Sequence, residues 1–231
     1  LGIVGFEIDG GFAEYVTVPE ACCMILPDDI SFDVGSLLVD MLGTAYRGVK
    51  QANLLPGDQV AIWGAGPIGL SALMVALRLN VQVAIVDFNE YRLRMAKEFG
   101  ADLALNPARD DVREALVDWT HGNGIDVAFE CVGDEKAALQ ALPVIKKRGK
   151  LGIIGVSEHL AINPWDDLIR QELTVYGSRS FVLPEFGEMI ALVRRGLPVE
   201  RIVTHQYPLS DAAAAFALFR SAECGKILLT P

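Results

Sequence analysis

Between residues 59 and 155 the chain alternates short apolar runs with segments whose apolar positions recur every three to four residues. The short runs are Gln59-Val60-Ala61-Ile62-Trp63, Val81-Gln82-Val83-Ala84-Ile85-Val86, Asp102 to Leu105, Asp126 to Cys131 and Lys150 to Gly155. They lack regular in-out alternation, as expected of strands covered on both faces. Helical spacing fills the gaps at Leu70 to Asn80, Asn89 to Phe99, Asp110 to Trp119 and Glu135 to Lys147. The second of these turns Leu93 and Ala96 inward and stops at Gly100, while His121-Gly122-Asn123-Gly124 makes the turn into the fourth strand. Strands alternating with helices predict an α/β fold, a doubly wound parallel sheet with helices on both faces.

The flanks differ in kind. Residues 1 to about 42 and 180 to 231 carry prolines and hairpin-like runs, with one amphipathic helix near Asp211 to Arg220. After Gly10-Gly11, the run Phe12 to Val18 alternates like the edge of an antiparallel sheet. The two flanks are expected to pack together.

Gly64-Ala65-Gly66-Pro67-Ile68-Gly69 lies between the first strand and the first helix of the alternating region. Alone, this spacing is weak, because glycines also punctuate ordinary loops. Its strand-turn-helix context gives each residue a task. Gly64 permits the tight turn, Gly66 lets the backbone approach a pyrophosphate, and Gly69 lets helix pack on strand. Pro67 suits the first helical turn, which has no use for a further N–H donor. Free N–H groups and the positive end of the helix dipole would hold phosphate oxygens. Asp87 ends the next strand about twenty residues on, where a carboxylate accepts hydrogen bonds from a ribose. The plainer reading of Asp87, a turn residue at a strand end, is outweighed by its place after the glycines.

Composition narrows the partners. The chain has 231 residues, 52% of them apolar, enough for a sizeable core. A net charge of −10 disfavours nucleic acid and anionic membrane, and no apolar stretch reaches bilayer-spanning length. A small-molecule partner and a cytoplasmic location are the expectations. Cys22, Cys23, Cys131 and Cys224 have no C-x-x-C or His-rich spacing. Cys131 reads as an inert thiol in an apolar strand, and Cys22-Cys23 as one core and one surface side chain if the segment is extended.

Asp9-Gly10-Gly11-Phe12-Ala13-Glu14-Tyr15-Val16, Leu26-Pro27-Asp28-Asp29-Ile30-Ser31, the glycine-rich turn, Phe129-Glu130-Cys131-Val132-Gly133 and Gly225-Lys226-Ile227-Leu228-Leu229 together resemble the medium-chain dehydrogenase/reductase family. The resemblance is closest to its zinc-dependent alcohol and polyol dehydrogenase branch, and it covers essentially the whole chain in the family's order. It implies a Rossmann domain over residues 43–179. The flanks, residues 1–42 and 180–231, would then be the remaining parts of a mostly β, GroES-like catalytic domain.

The resemblance also implies residue roles. Asp40 falls where the family places a third catalytic zinc ligand, and Thr44 where a side chain touches the nicotinamide in the active site. Gly64, Gly66, Pro67, Ile68 and Gly69 would hold the pyrophosphate of NAD, and Asp87 and Arg92 the adenosine ribose. Val132, Gly133, Gly155 and Val156 would run beside the nicotinamide half. Without the family, Asp40 reads as a carboxylate favouring a helix dipole. His205 resembles a family Thr-His pair with a packing role, and His121 and His159 are loop residues.

Family members carry, ahead of the segment matching Leu1, roughly a hundred residues with a Cys and a His-Glu pair for zinc. The expectation is therefore a piece of an NAD-dependent alcohol or polyol dehydrogenase, inactive by itself, which binds zinc when intact. A homo-oligomer, dimer or tetramer, would pair along an edge strand at Leu173 to Gly177. Two other readings stay open: a non-catalytic NAD(H)-binding or sensing module, and a zinc-free reductase of the same family.

Overall fold

The computed structural model describes residues 3–231. Helix α1 (Phe32–Leu37) passes through a π-helical turn (Leu38–Leu42) into α2 (Gly43–Ala52). There follow β1 (Gln59–Trp63), α3 (Pro67–Leu77), β2 (Gln82–Val86), α4 (Glu90–Glu98) and β3 (Leu103–Leu105). The second half contains α5 (Val112–Trp119), β4 (Ile125–Glu130), α6 (Glu135–Ala141), β5 (Ile145–Ile153) and β6 (Thr174–Gly177). Six strands form one sheet in the order β3-β2-β1-β4-β5-β6, all parallel. The order runs outward in both directions from the β1/β4 pair, so the chain reverses its winding there and opens a crevice beyond the strand ends.

Alternate residues of the central strands serve two buried layers. Val60, Ile62, Val83, Ile85, Val127 and Phe129 face one, whereas Ala61, Trp63, Ala84, Val86, Ala128 and Leu151 face the other. Both faces are apolar because helices cover both, which is why these strands read as continuous apolar runs. Full burial of Phe129 is worth about 2–3 kcal/mol by area. The first layer also takes in Leu37, Leu38, Met41 and Leu42, so the segment carrying Asp40 is anchored on the same core. Tyr176 adds a tie, its hydroxyl donating to the Gly48 carbonyl of α2 at 2.9 Å.

Outside the sheet lie α7 (Leu183–Arg194), β7 (Val203–Pro208), α8 (Ala212–Ser221) and β8 (Lys226–Thr230). The flanks touch one another: the Phe12 and Phe216 rings meet edge to face at 5.7 Å, and Gln206 Nε2 donates to Asp33 at 2.9 Å. No helix of the described residues is long and apolar enough to cross a membrane.

Four sequence expectations need correction. The helix expected to reach Lys147 ends at Ala141, because Pro143 lacks an N–H and tightens the chain into a 3₁₀ turn. Ile145 then starts β5, and a bulge carries the register from Ile125↔Ile145 to Val127↔Lys150. Among the described residues, the run Phe12 to Val18 forms no strand; bends replace it, since a lone extended segment without a partner is not stable. The flank strands are not hairpins: β7 and β8 pair in parallel across α8. Cys22 and Cys23 are both exposed, because they sit at a 3₁₀ turn (Glu20–Cys22) with no strand alternation to divide them.

Candidate functional site

The register lines up the strand ends. Trp63 pairs with Val86 on one side and Glu130 on the other, and Glu130 pairs with Ile153. Gly64, Asp87, Cys131 and Ile154 therefore emerge side by side at the crevice where the sheet reverses. The sequence-selected segments 64–69, 87–92, 132–133 and 155–156 converge on one edge.

At its centre the turn between β1 and α3 is steric in origin. Gly64 has φ +98°, a region that favours glycine, and its N–H donates to the Val86 carbonyl at 2.8 Å. A Cβ on Gly69 would lie 1.8 Å from the Gly64 carbonyl oxygen, so α3 packs this closely on β1 only with glycine there. Gly66 precedes Pro67 as the N-cap, and no side chain of its own caps the helix N–H groups. A Cβ on Gly66 would meet nothing nearer than Arg92 Nη1 at 3.8 Å, which leaves the approach to the helix N-terminus open.

Asp87 does more than its position announced. One carboxylate oxygen accepts the Ala65 N–H at 2.6 Å and the other the Asn89 N–H at 2.8 Å. The side chain thus clamps the glycine-rich turn to the end of β2. A carboxylate has about four acceptor positions, so this half-buried group can still receive ribose hydroxyls. Asn89 accepts the Arg92 N–H at 3.0 Å to cap α4 and donates to the Ala222 carbonyl at 3.1 Å. Arg92 Nε points to the Cys224 carbonyl at 3.5 Å, and among the described residues it forms no ion pair with Asp87. The loop before β8 is thereby docked beside the glycine-rich turn, a link with no signature in the sequence.

On the other side of β1 the wall is apolar. Val132 is 56% exposed and Val156 94% exposed, next to Gly133 and Gly155 at the ends of β4 and β5. Beneath them lies Glu130, only 1% exposed. Its Oε1 accepts the Val132 and Gly133 N–H groups at 2.6 and 2.7 Å. Burial pushes its carboxyl above the ordinary carboxylate range, against the pull of the Gly133, Val132 and Asp134 N–H groups, and the Asp134 charge adds to the push. Burial likewise raises the Cys131 thiol, with the Glu130 charge as a lesser cause. Sequence reasoning passed over Glu130; the available signal was a carboxylate inside Val127-Ala128-Phe129-Glu130-Cys131, where a charge needs a reason.

Asp40 and Thr44 sit one turn apart where the π-helical turn meets α2. Thr44, buried, has its hydroxyl 3.4 Å from the exposed Asp40 carboxylate, as a donor to Oδ1. The wider turn breaks the α-helical phase at this point, a feature often found at functional sites. Among the described residues no three His, Cys, Asp or Glu side chains are grouped to hold a metal. His205 lies in β7, its Nδ1 2.9 Å from Thr204 Oγ1 and its ring stacked on Tyr207. A separate cavity of about 930 Å³, lined by Phe12, Leu26, Phe32, Val39 and Leu229 among others, includes none of the glycine-rich turn.

Comparison with known proteins agrees with this geometry. The sequence model of a family described as zinc-binding dehydrogenase matches residues 67–195. An L-threonine 3-dehydrogenase from Chromobacterium violaceum is 34% identical over 230 residues, 98% of this chain and 66% of that protein. The chain therefore spans just under two thirds of the length of this curated relative. An alcohol dehydrogenase, TADH, from Thermus sp. ATN1 superposes with a TM-score of 0.91 at 30% identity, covering 97% of this chain and 68% of that one. An alcohol dehydrogenase (rspB) from Escherichia coli CFT073, solved with its cofactor NADH, gives a TM-score of 0.91 at 26% identity over 100% of this chain and 68% of that one.

Proposed function

The chain belongs to the zinc-binding dehydrogenase family, and from that premise we propose that it carries the NAD site of an oxidoreductase that moves hydride between an alcohol or polyol carbon and the cofactor. The observation behind this reading is the Gly64–Gly69 turn clamped by Asp87 at the point where the sheet reverses. NAD supplies the hydride acceptor when bound. The residues fit it: the open N-terminus of α3 at Gly66, Pro67 and Ile68 receives the pyrophosphate, with Arg92 alongside.

Asp87 receives the adenosine ribose and disfavours a 2′-phosphate, where its charge would be repelled at close range. Val132, Gly133, Gly155 and Val156 line the nicotinamide half, and Thr44 faces its reacting end. Residues 43–179 form the cofactor domain in this reading, with residues 1–42 and 180–231 belonging to the catalytic one. The free thiols suit a reducing cytoplasm, and the side of β6 left unpaired among the described residues suits pairing with a second copy.

Zinc fits only in part. Asp40 offers one exposed carboxylate beside Thr44, whereas a catalytic zinc takes three protein ligands and an open position. The described residues near Asp40 bring no such set together. In a zinc-loaded form of the protein, Asp40→Ala should lower zinc content and leave NADH affinity within about twofold, since ligand loss acts on the metal and not on the adenosine pocket. Unchanged zinc content would return Asp40 to a helix-dipole role.

The reading is tested by titrating the purified chain with NADH and following nucleotide fluorescence. Saturable binding at one site per chain, lost when the N-terminus of α3 is blocked by Gly66→Glu, is the expected result. No saturation, or equal binding by the variant, would contradict it.

A further inference from the structure

Glu130 is the last residue of β4 and serves both neighbouring segments. Its backbone carbonyl accepts the Ile154 and Gly155 N–H groups at 2.9 and 3.0 Å, while its carboxyl oxygen Oε1 accepts those of Val132 and Gly133. The second oxygen, Oε2, is buried and has no partner among the described residues. It faces Gly155, where a Cβ would lie 2.7 Å from it and 2.1 Å from the Gly133 nitrogen. The two loops are therefore in backbone contact directly above this carboxyl group. Gly133 itself has φ +83°, and a Cβ there would lie 2.6 Å from the Val156 carbonyl oxygen.

A buried carboxyl with one idle oxygen is a costly feature unless it holds something in place. We propose that Glu130 is a positioning residue that pins the Val132–Gly133 turn against the Gly155–Val156 segment, and so fixes the wall on which the nicotinamide end of the dinucleotide rests. The inference rests on the cofactor reading above. It extends that reading by separating the two ends of the site: Asp87 governs the adenosine end, and Glu130 governs the nicotinamide end without touching the cofactor.

Held above the ordinary carboxylate range by burial, the side chain needs its reach more than its charge. Glu130→Gln keeps an oxygen for the two N–H groups, whereas Glu130→Asp draws the acceptor back by one methylene.

The test compares NADH and AMP binding to the full chain for the wild type, Glu130→Asp and Glu130→Gln. Wild type should bind both ligands. Glu130→Asp should weaken NADH by about tenfold and leave AMP within about twofold, and Glu130→Gln should keep both near wild type. Gly133→Ala, which strains the same turn from its own side, carries the test independently if Glu130→Asp does not fold; it should show the same split. Parallel losses of AMP and NADH, or no loss of NADH, would overturn the role of Glu130 while leaving the cofactor site standing. A wild-type chain that binds neither ligand would overturn both readings together.

Discussion

Two carboxyl groups stand at the ends of β2 and β4, the strands on either side of β1, and they differ in what surrounds them. Asp87 follows β2 and Glu130 closes β4; each accepts two backbone N–H groups and so orders the loop beyond its strand. Asp87 is half-buried beside an open helix N-terminus, and Glu130 is sealed beneath two loops that touch through glycine. The same local chemistry thus yields a group that can meet a ligand at one end and a group that only shapes the wall at the other. What separates the roles is access, set by whether glycine-lined backbone closes over the side chain.

The largest effect should come from the scaffold the two ends share. Gly69→Ala forces a Cβ onto the Gly64 carbonyl oxygen and must push α3 off β1. A loss of about 3 kcal/mol in urea unfolding is expected, together with loss of AMP and NADH binding alike. A stable variant with intact binding would mean that the turn is not the common anchor.

A smaller loss, about 2 kcal/mol, is expected for Glu185→Ala, distant in role from both carboxylates. Glu185 is 4% exposed, accepts Arg47 at 3.1 Å through Oε1 and the Val182 N–H at 3.0 Å through Oε2, and joins α7 to α2. Denaturation should show the loss while the NADH affinity of the folded fraction stays unchanged. A change in affinity would show that Thr44, on α2, needs the tie to α7 to keep its place in the site.

Asn89→Ala breaks the Asp87 end alone. It removes the α4 cap and the tie to Ala222, at about 1 kcal/mol, and should weaken AMP and NADH by the same factor. Calorimetric titration that found NADH weakened without AMP would contradict the division of the site.

A pH series isolates the contribution of Glu130 most finely. Because Glu130 is raised in the fold, its contribution is complete below the unfolded carboxylate pKa and is lost as pH rises through the folded value. Asp134, whose charge faces it, and the adjacent Cys131 thiol belong to the same environment. Glu130→Gln should therefore gain stability relative to wild type between pH 4.5 and neutrality, measured by urea unfolding at each pH. A constant difference across that range would show that Glu130 titrates as a solvent-exposed carboxylate.

The parts of this design that were readable in the sequence are those encoded locally. β1, β2 and the glycine-rich turn declared themselves because buried parallel strands are short apolar runs and because Gly64 and Gly69 have local steric tasks. Asp87 was readable by offset, but its hold on Ala65 was not, since that bond joins residues far apart in the chain. The end of α6 at Ala141, just ahead of Pro143, is hidden in the sequence because helical periodicity runs on into β5, where the bulge masks the strand's own period. The N-terminal flank misled for a different reason. Alternation in Phe12 to Val18 reports a pleated surface only when a neighbouring strand exists, and in the described residues none pairs with it. Glu130 went unread because burial, not residue type, gives it its task.

The central claim is that a dinucleotide lies across this crevice with its adenosine ribose on Asp87. Parallel titrations of wild type and Asp87→Ser with NADH and NADPH, followed by cofactor fluorescence, test it directly. Wild type should favour NADH by about tenfold to a hundredfold, or ~1–3 kcal/mol, and Asp87→Ser should narrow that gap. Equal affinities in wild type, or tighter NADPH, would contradict the assignment of Asp87 and with it the placement of the cofactor.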